Sequence, residues 1–311
     1  MNTVWIRSLL AYSGPAIPIS MLTMPLIMFV PTFYAQELGL GLATVGLVFF
    51  LARAWDGLID PLAGYFSDKT VSRWGRRKPW ILGATPFVML FTVLLCQPPA
   101  GIGPWYLGLV IMAFYMVWAA LQIPYLSWGA DLTDDYTERN RIVGYREGAL
   151  MFGVLLATGI PILLLSSENP PLREILRIFT WSVVLILPVT VLIALRWCES
   201  GPPLRQEVPP LRIAMASLLR NRVFVRLLGA LFLLWLALHI YNACIVLVLQ
   251  FLAAVPNSAF LEYVLAQFVV GVLFTPAIVA LANRFGKHRV LAVSALGIGL
   301  LLPFYGLVTP G

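Results

Sequence analysis

Runs of about twenty predominantly apolar residues recur along the whole chain, at 12–36, 42–66, 79–97, 105–128, 142–165, 175–196, 223–253, 260–282 and 290–307. A helix of about twenty such residues crosses the hydrocarbon of a bilayer. Repetition of that length leaves little choice of fold. The chain is predicted to be an all-α polytopic membrane protein with about nine spans. Composition agrees, with 60% of residues hydrophobic and 11% charged. A soluble domain is about half apolar and roughly a quarter charged.

The charges sit between the runs. Of the 21 lysines and arginines, all but Arg53, Arg173 and Arg177 fall on one side if the spans alternate. Lysine and arginine concentrate in cytoplasmic loops, which places the N-terminus inside. The net charge of +7 therefore belongs to short loops and not to one soluble face, which argues against nucleic acid as a partner. The start of the chain has Arg7 but no small-residue cleavage site, as expected of a retained first helix in the plasma membrane, or the bacterial inner membrane in a prokaryote. Cys96, Cys198 and Cys244 lie far apart with no metal-ligand spacing. No cofactor is implied, and the expected state is a monomer in lipid.

Three parts are expected: a six-helix half over 1–197, a linker over 198–222 and a partial second half over 223–311. The linker holds Pro202, Pro203, Pro209 and Pro210. Leu211, Met215, Leu218 and Leu219 then recur at helical spacing among Arg212, Arg220 and Arg222, predicting an amphipathic helix on the membrane surface. A repeat is also visible. Gly64-Tyr65-Phe66-Ser67-Asp68-Lys69 with Trp74-Gly75-Arg76-Arg77 follows the second span, and Asn283-Arg284-Phe285-Gly286-Lys287-His288-Arg289 follows the eighth. Repeats of this kind are common in transporters. Six plus six spans would make twelve, so the chain is expected to be a truncated version of a longer protein.

The second span carries the sharpest chemistry. At about 100° per residue, Arg53, Asp56 and Asp60 share one helical face. Each charge at a helix centre costs roughly 2.5–3.5 kcal/mol. Two carboxylates one turn apart bind a cation together or share a proton, and Arg53 would tune their charge. The structural alternative is an Arg53–Asp56 pair that fixes helix packing. Pro61 removes a backbone donor just beyond them. Gln122 and Tyr125, three apart in the fourth span, are candidate solute contacts. Asp134, Asp135 and Glu138 are expected to pair with Arg76 and Arg77, and Arg146 with Glu147 marks the mouth of the fifth span. Gly64, Asp68, Arg76, Arg77, Arg146 and Glu147 form the predicted cytoplasmic gate. His239 and Asn242 are a weaker pair.

Ala52-Arg53-Ala54-Trp55-Asp56-Gly57-Leu58-Ile59-Asp60-Pro61, followed by Ser72-Arg73-Trp74-Gly75-Arg76-Arg77-Lys78-Pro79-Trp80, resembles the glycoside–pentoside–hexuronide:cation symporter family of the major facilitator superfamily. Gln122-Ile123-Pro124-Tyr125 and Tyr145-Arg146-Glu147 resemble it too. The likeness is good over the first half and weak over the second. It implies that Asp56 and Asp60 are the cation-site carboxylates, with Na+ a possible transient occupant. It also implies departures. Ser20 and Gln122 stand where melibiose-type carriers hold sugar with acids. Ile59 and Ala119 stand where that type places polar cation ligands. Fewer oxygens favour H+ over Na+ as coupling cation.

The function implied is a cation-coupled symporter of a small solute, a sugar or glycoside, working by alternating access. The alternatives are a carrier of amphiphiles such as lysolipids, and a non-transporting membrane receptor or scaffold. Catalysis is not expected, because no nucleophile–base or metal constellation is visible.

Overall fold

The computed structural model describes residues 3–133, 135–165, 170–198, 211–247 and 256–301. Among them every regular element is helical. Six helical stretches are long and apolar enough to cross a membrane: Ile6–Glu37, Leu42–Lys69, Lys78–Cys96, Pro104–Asp131, Arg141–Leu164 and Leu172–Trp197. They coincide with the first six predicted spans.

The first stretch is broken. It consists of α1 (Thr3–Ser13), α2 (Ala16–Met28), α3 (Val30–Thr32) and a π-helical turn over Phe33–Glu37. Pro15, Pro18, Pro25 and Pro31 have no amide hydrogen to donate, so the regular ladder fails repeatedly. The turn closes with Leu38 N donating to Phe33 O at 3.1 Å.

Five longer helices follow: α4 (Leu42–Lys69), α5 (Lys78–Cys96), α6 (Pro104–Asp131), α7 (Tyr136–Leu164) and α8 (Leu172–Trp197). The helix α7 starts inside the polar stretch 133–141, which the sequence presents as a loop. Asp135 Oδ1 accepts from Glu138 N at 2.8 Å, and Arg141 pairs with Glu138 at 2.7 Å. That is an N-terminal cap with a carboxylate three residues on, enough to carry the helix back out of the apolar segment. A helix, α9 (Leu211–Arg220), stands where the amphipathic one is expected. The prolines at 202, 203, 209 and 210, the side chains of Arg212 and Met215, Asp134, and the side chains of His239 and Asn242 lie outside the described residues. Then come α10 (Arg222–Leu247), α11 (Asn257–Phe285) and α12 (Lys287–Leu301), at the places predicted for spans seven to nine.

The chain forms two compact units, Met1–Ala157 with Pro171–Leu231, and Thr158–Pro170 with Phe232–Gly311. In the first unit α4 and α5 pack on α6, and α1, α2 and α5 pack on α8. Its core is aromatic, with Tyr12, Phe29, Phe33, Tyr34, Phe114, Tyr115, Tyr125 and Trp128 buried. Leu47, Phe50, Leu58, Leu109 and Leu185 project outward. In water such a surface would aggregate; in lipid it is ordinary solvent contact. In the second unit α11 packs on α12. The two loops compared as a repeat share one backbone device, a left-handed glycine at Gly75 (φ 87°) and Gly286 (φ 90°).

Helix ends inside lipid must satisfy their free backbone groups. Tyr34 and Tyr106 each donate a hydroxyl at 2.8 Å, to Leu95 O and Leu94 O at the end of α5. Glu37 Oε1 accepts from Leu172 N at 2.7 Å, a carboxylate at the positive end of α8. At the other end Lys78 Nζ donates to Cys198 O at 2.7 Å and Leu195 O at 3.2 Å.

Two glycines allow helices to touch. A Cβ at Gly129 would strike the Tyr12 hydroxyl, and one at Gly153 would strike Ser20 Oγ and the Ile17 carbonyl oxygen. Gly148, on the same helix as Gly153, has open space around it. Gly153→Ala is therefore expected to destabilise by about 2 kcal/mol or more, because backbone cannot give way. Gly148→Ala is expected to be neutral or stabilising through helix propensity. Thermal unfolding of the two purified variants in one detergent checks the order.

Candidate functional site

The face predicted from spacing forms on α4. Arg53 Nη1 donates to Asp56 Oδ2 at 3.3 Å. The Arg53 guanidinium lies 5.0 Å from the ring centre of buried Tyr115 on α6, a cation–π contact that holds it toward that helix. Asp56 Oδ1 is buried and accepts no hydrogen bond. Asp60, one turn further, has no ion pair among the described residues. One guanidinium thus meets one oxygen of two carboxylates, and acceptor capacity is left over in a partly buried place. Ala119 on α6 is fully buried, and Ile59 is half-buried beside Asp60. Neither can supply an oxygen from its side chain.

The predicted solute contacts separate. Gln122 is half-buried on α6. Tyr125 is 2% exposed; its hydroxyl donates to Tyr12 O at 2.9 Å, and Tyr12 returns a longer bond to Tyr125 O at 3.3 Å. The rings stack at 5.0 Å. Ser20 is buried, donates to Ile17 O at 2.9 Å and faces Gly153. In this structure the Tyr125 hydroxyl ties α6 to α1, and the Ser20 hydroxyl bonds back within α2.

The predicted gate residues fall into two groups. Arg76 makes a forked pair with Asp131, Nη2 to Oδ1 at 2.6 Å and Nε to Oδ2 at 3.1 Å. Arg77 donates Nε to the same Oδ2 at 3.2 Å and Nη1 to Ser67 Oγ at 2.7 Å, and it pairs with Asp68. Of the three expected partners of these arginines, Asp135 and Glu138 are engaged elsewhere and Asp134 lies outside the described residues. Glu138 is taken by Arg141 and Asp135 by the α7 cap, whereas Asp131, the last residue of α6, binds both arginines. A basic loop bracketed between two apolar helices needs acids beside it, and Asp131 and Asp68 supply them. Gly64 lets α4 approach Ile123 of α6, with a Cβ position 3.6 Å from Ile123 Cγ2. The cluster ties α4, the α4–α5 loop and α6 together within one unit. Arg146 and Glu147 form a separate pair at 2.6 Å.

Over residues 11–309 the chain matches the model of the MFS/sugar transport protein family. The chain belongs to that family. An uncharacterized symporter of Synechocystis sp. is 30% identical over 225 residues, 65% of this chain and 39% of that protein. The glucuronide carrier protein homolog of Escherichia coli is 28% identical over 291 residues, 89% of this chain and 62% of the other. Sodium-dependent lysophosphatidylcholine symporter 1 of Xenopus tropicalis is 29% identical over 153 residues, 48% of this chain and 27% of the other. The chain spans less than two thirds of the length of each. These relatives agree with the resemblance carried by residues 52–61 and 72–80. This MFS family is one of transporters, and its apolar helices make the chain an integral membrane protein.

Proposed function

We propose that this MFS chain is part of a proton-coupled symporter of a sugar or glycoside. The observation that carries the reading is the α4 face: Arg53 satisfies one oxygen of Asp56, while Asp56 Oδ1 is buried without a donor and Asp60 has no ion pair among the described residues. A buried acceptor left unmet is costly, and a proton or cation at these carboxyls removes that cost. A proton needs only one carboxyl. Sodium prefers several oxygens, and Ile59 and Ala119 bring none from their side chains. The solute binds near Gln122, with alternating access between two helical halves. Asp68, Arg76 and Arg77, with Asp131, fix the inner end of the first half, and the N-terminus is cytoplasmic in the plasma membrane.

A second reading, an amphiphile carrier, is favoured by the relative named a lysophosphatidylcholine symporter. One experiment separates the two. The full-length gene product is reconstituted in vesicles and offered a panel of glycosides and lysophospholipids under a pH gradient or a sodium gradient. Glycoside uptake driven by the pH gradient is the expected result. Larger uptake under sodium would overturn proton coupling, and uptake of lysophospholipid alone would overturn the glycoside reading.

A further inference from the structure

A groove of about 490 Å³ opens where the start of α5 meets the end of α8. Arg73, Lys78 and Arg196 line it together with Trp74, over a floor of Leu82, Leu192 and Leu195. No carboxylate lines it among the described residues. The neighbouring Arg76 and Arg77 are neutralised by Asp131 and Asp68. Lys78 gives hydrogen bonds to the last carbonyls of α8, whose partial negative charge offsets about half of a unit. Arg73 and Arg196 are exposed and have no ion pair among the described residues. Among the described residues the groove therefore carries an excess positive charge at one end of the spans. Its chemistry is divided. Guanidinium forks suit phosphate oxygens. The leucines suit hydrocarbon, with Leu192 57% exposed just along α8, and half-exposed Trp74 is a side chain typical of the lipid interface.

We propose that this groove holds the headgroup of an anionic phospholipid, with the phosphodiester between Arg73 and Arg196 and the acyl chains along the α5–α8 surface. A free phosphate would gain nothing from Leu82, Leu192 and Leu195. Basic pockets between membrane helices take lipid headgroups for the same reason. This site is distinct from the Asp56–Asp60 face and stands whatever solute the protein carries.

Native mass spectrometry of the full-length protein tests it, with phosphatidylglycerol and phosphatidylcholine of equal chain length titrated into detergent. The expected result is preferential phosphatidylglycerol binding. The double variant Arg73→Gln with Arg196→Gln is expected to weaken that binding roughly thirtyfold and to leave phosphatidylcholine unchanged. The double variant Arg73→Lys with Arg196→Lys is expected to keep most of the preference, and excess inorganic phosphate is expected not to displace the lipid. Equal binding of the two lipids, an unaltered glutamine variant, or displacement by phosphate would overturn the proposal; the last would mark a soluble-anion site. If the glutamine variant elutes as aggregate, the wild-type preference and the phosphate competition decide.

Discussion

Asp56→Asn and Asp60→Asn are each expected to cut gradient-driven uptake by on the order of 100-fold or more, with the protein still inserted and folded. The proposed coupling ion is a proton, which a carboxylate takes up and an amide cannot. An amide keeps the shape and loses both the charge and the proton site. A loss of about 100-fold corresponds to about 3 kcal/mol. Neither change threatens insertion, because each removes a charge whose place in a span costs roughly 2.5–3.5 kcal/mol. The Arg53 contact over Tyr115 remains in both variants. The measurement is initial uptake in vesicles at matched protein amounts, beside the melting temperature of each variant. Full uptake with lowered melting would assign both carboxylates to helix packing and sink the coupling role.

The largest stability effect is expected at Asp131. Asp131→Ala leaves two guanidiniums without their shared acid in a place where Arg77 is 7% and Arg76 16% exposed at the side chain. Breaking one side of a buried pair costs about 3–5 kcal/mol. Asp68 pairs with Arg77 as well, but its side chain is 36% exposed, and pairs open to water contribute about 0–1 kcal/mol. Asp68→Ala should therefore cost much less than Asp131→Ala. Thermal unfolding in one detergent compares them. Equal losses, or a larger loss at Asp68, would show that Asp131 is not the hub of the cluster.

The contrast between these two acids also shows what sequence could and could not reveal. Span positions were legible because length and apolarity are local properties, and all six described membrane-length helices fall on predicted runs. The shared face of Arg53 and Asp56 was legible because three residues along a helix fix direction. Asp131 was visible only as the polar end of a span. Its partners lie more than fifty residues away, and no period in the chain connects them. Tyr125 is a candidate solute contact by its spacing from Gln122, and Ser20 only by the resemblance. The Tyr125 hydroxyl is taken by a carbonyl on another helix, a choice made by tertiary packing, and the Ser20 hydroxyl by one in its own helix. The four prolines of the first span were plain to see. Where the helix breaks, and that it resumes as a π-turn, depended on how each freed carbonyl was met.

Glu37 and Lys78 hold opposite ends of one helix. Both anchors come from outside α8: one from the end of the broken first stretch, the other from the first residue of α5. In mechanical terms α8 is a strut pinned at both ends, 26 residues or about 39 Å long. Pro188 is its one interior proline, against four in the stretch from Thr3 to Glu37, so α8 is the stiffer of the two. The stretch from Thr3 to Glu37, with its missing hydrogen bonds, is the compliant member beside it, and deformation of the bundle is expected to gather there.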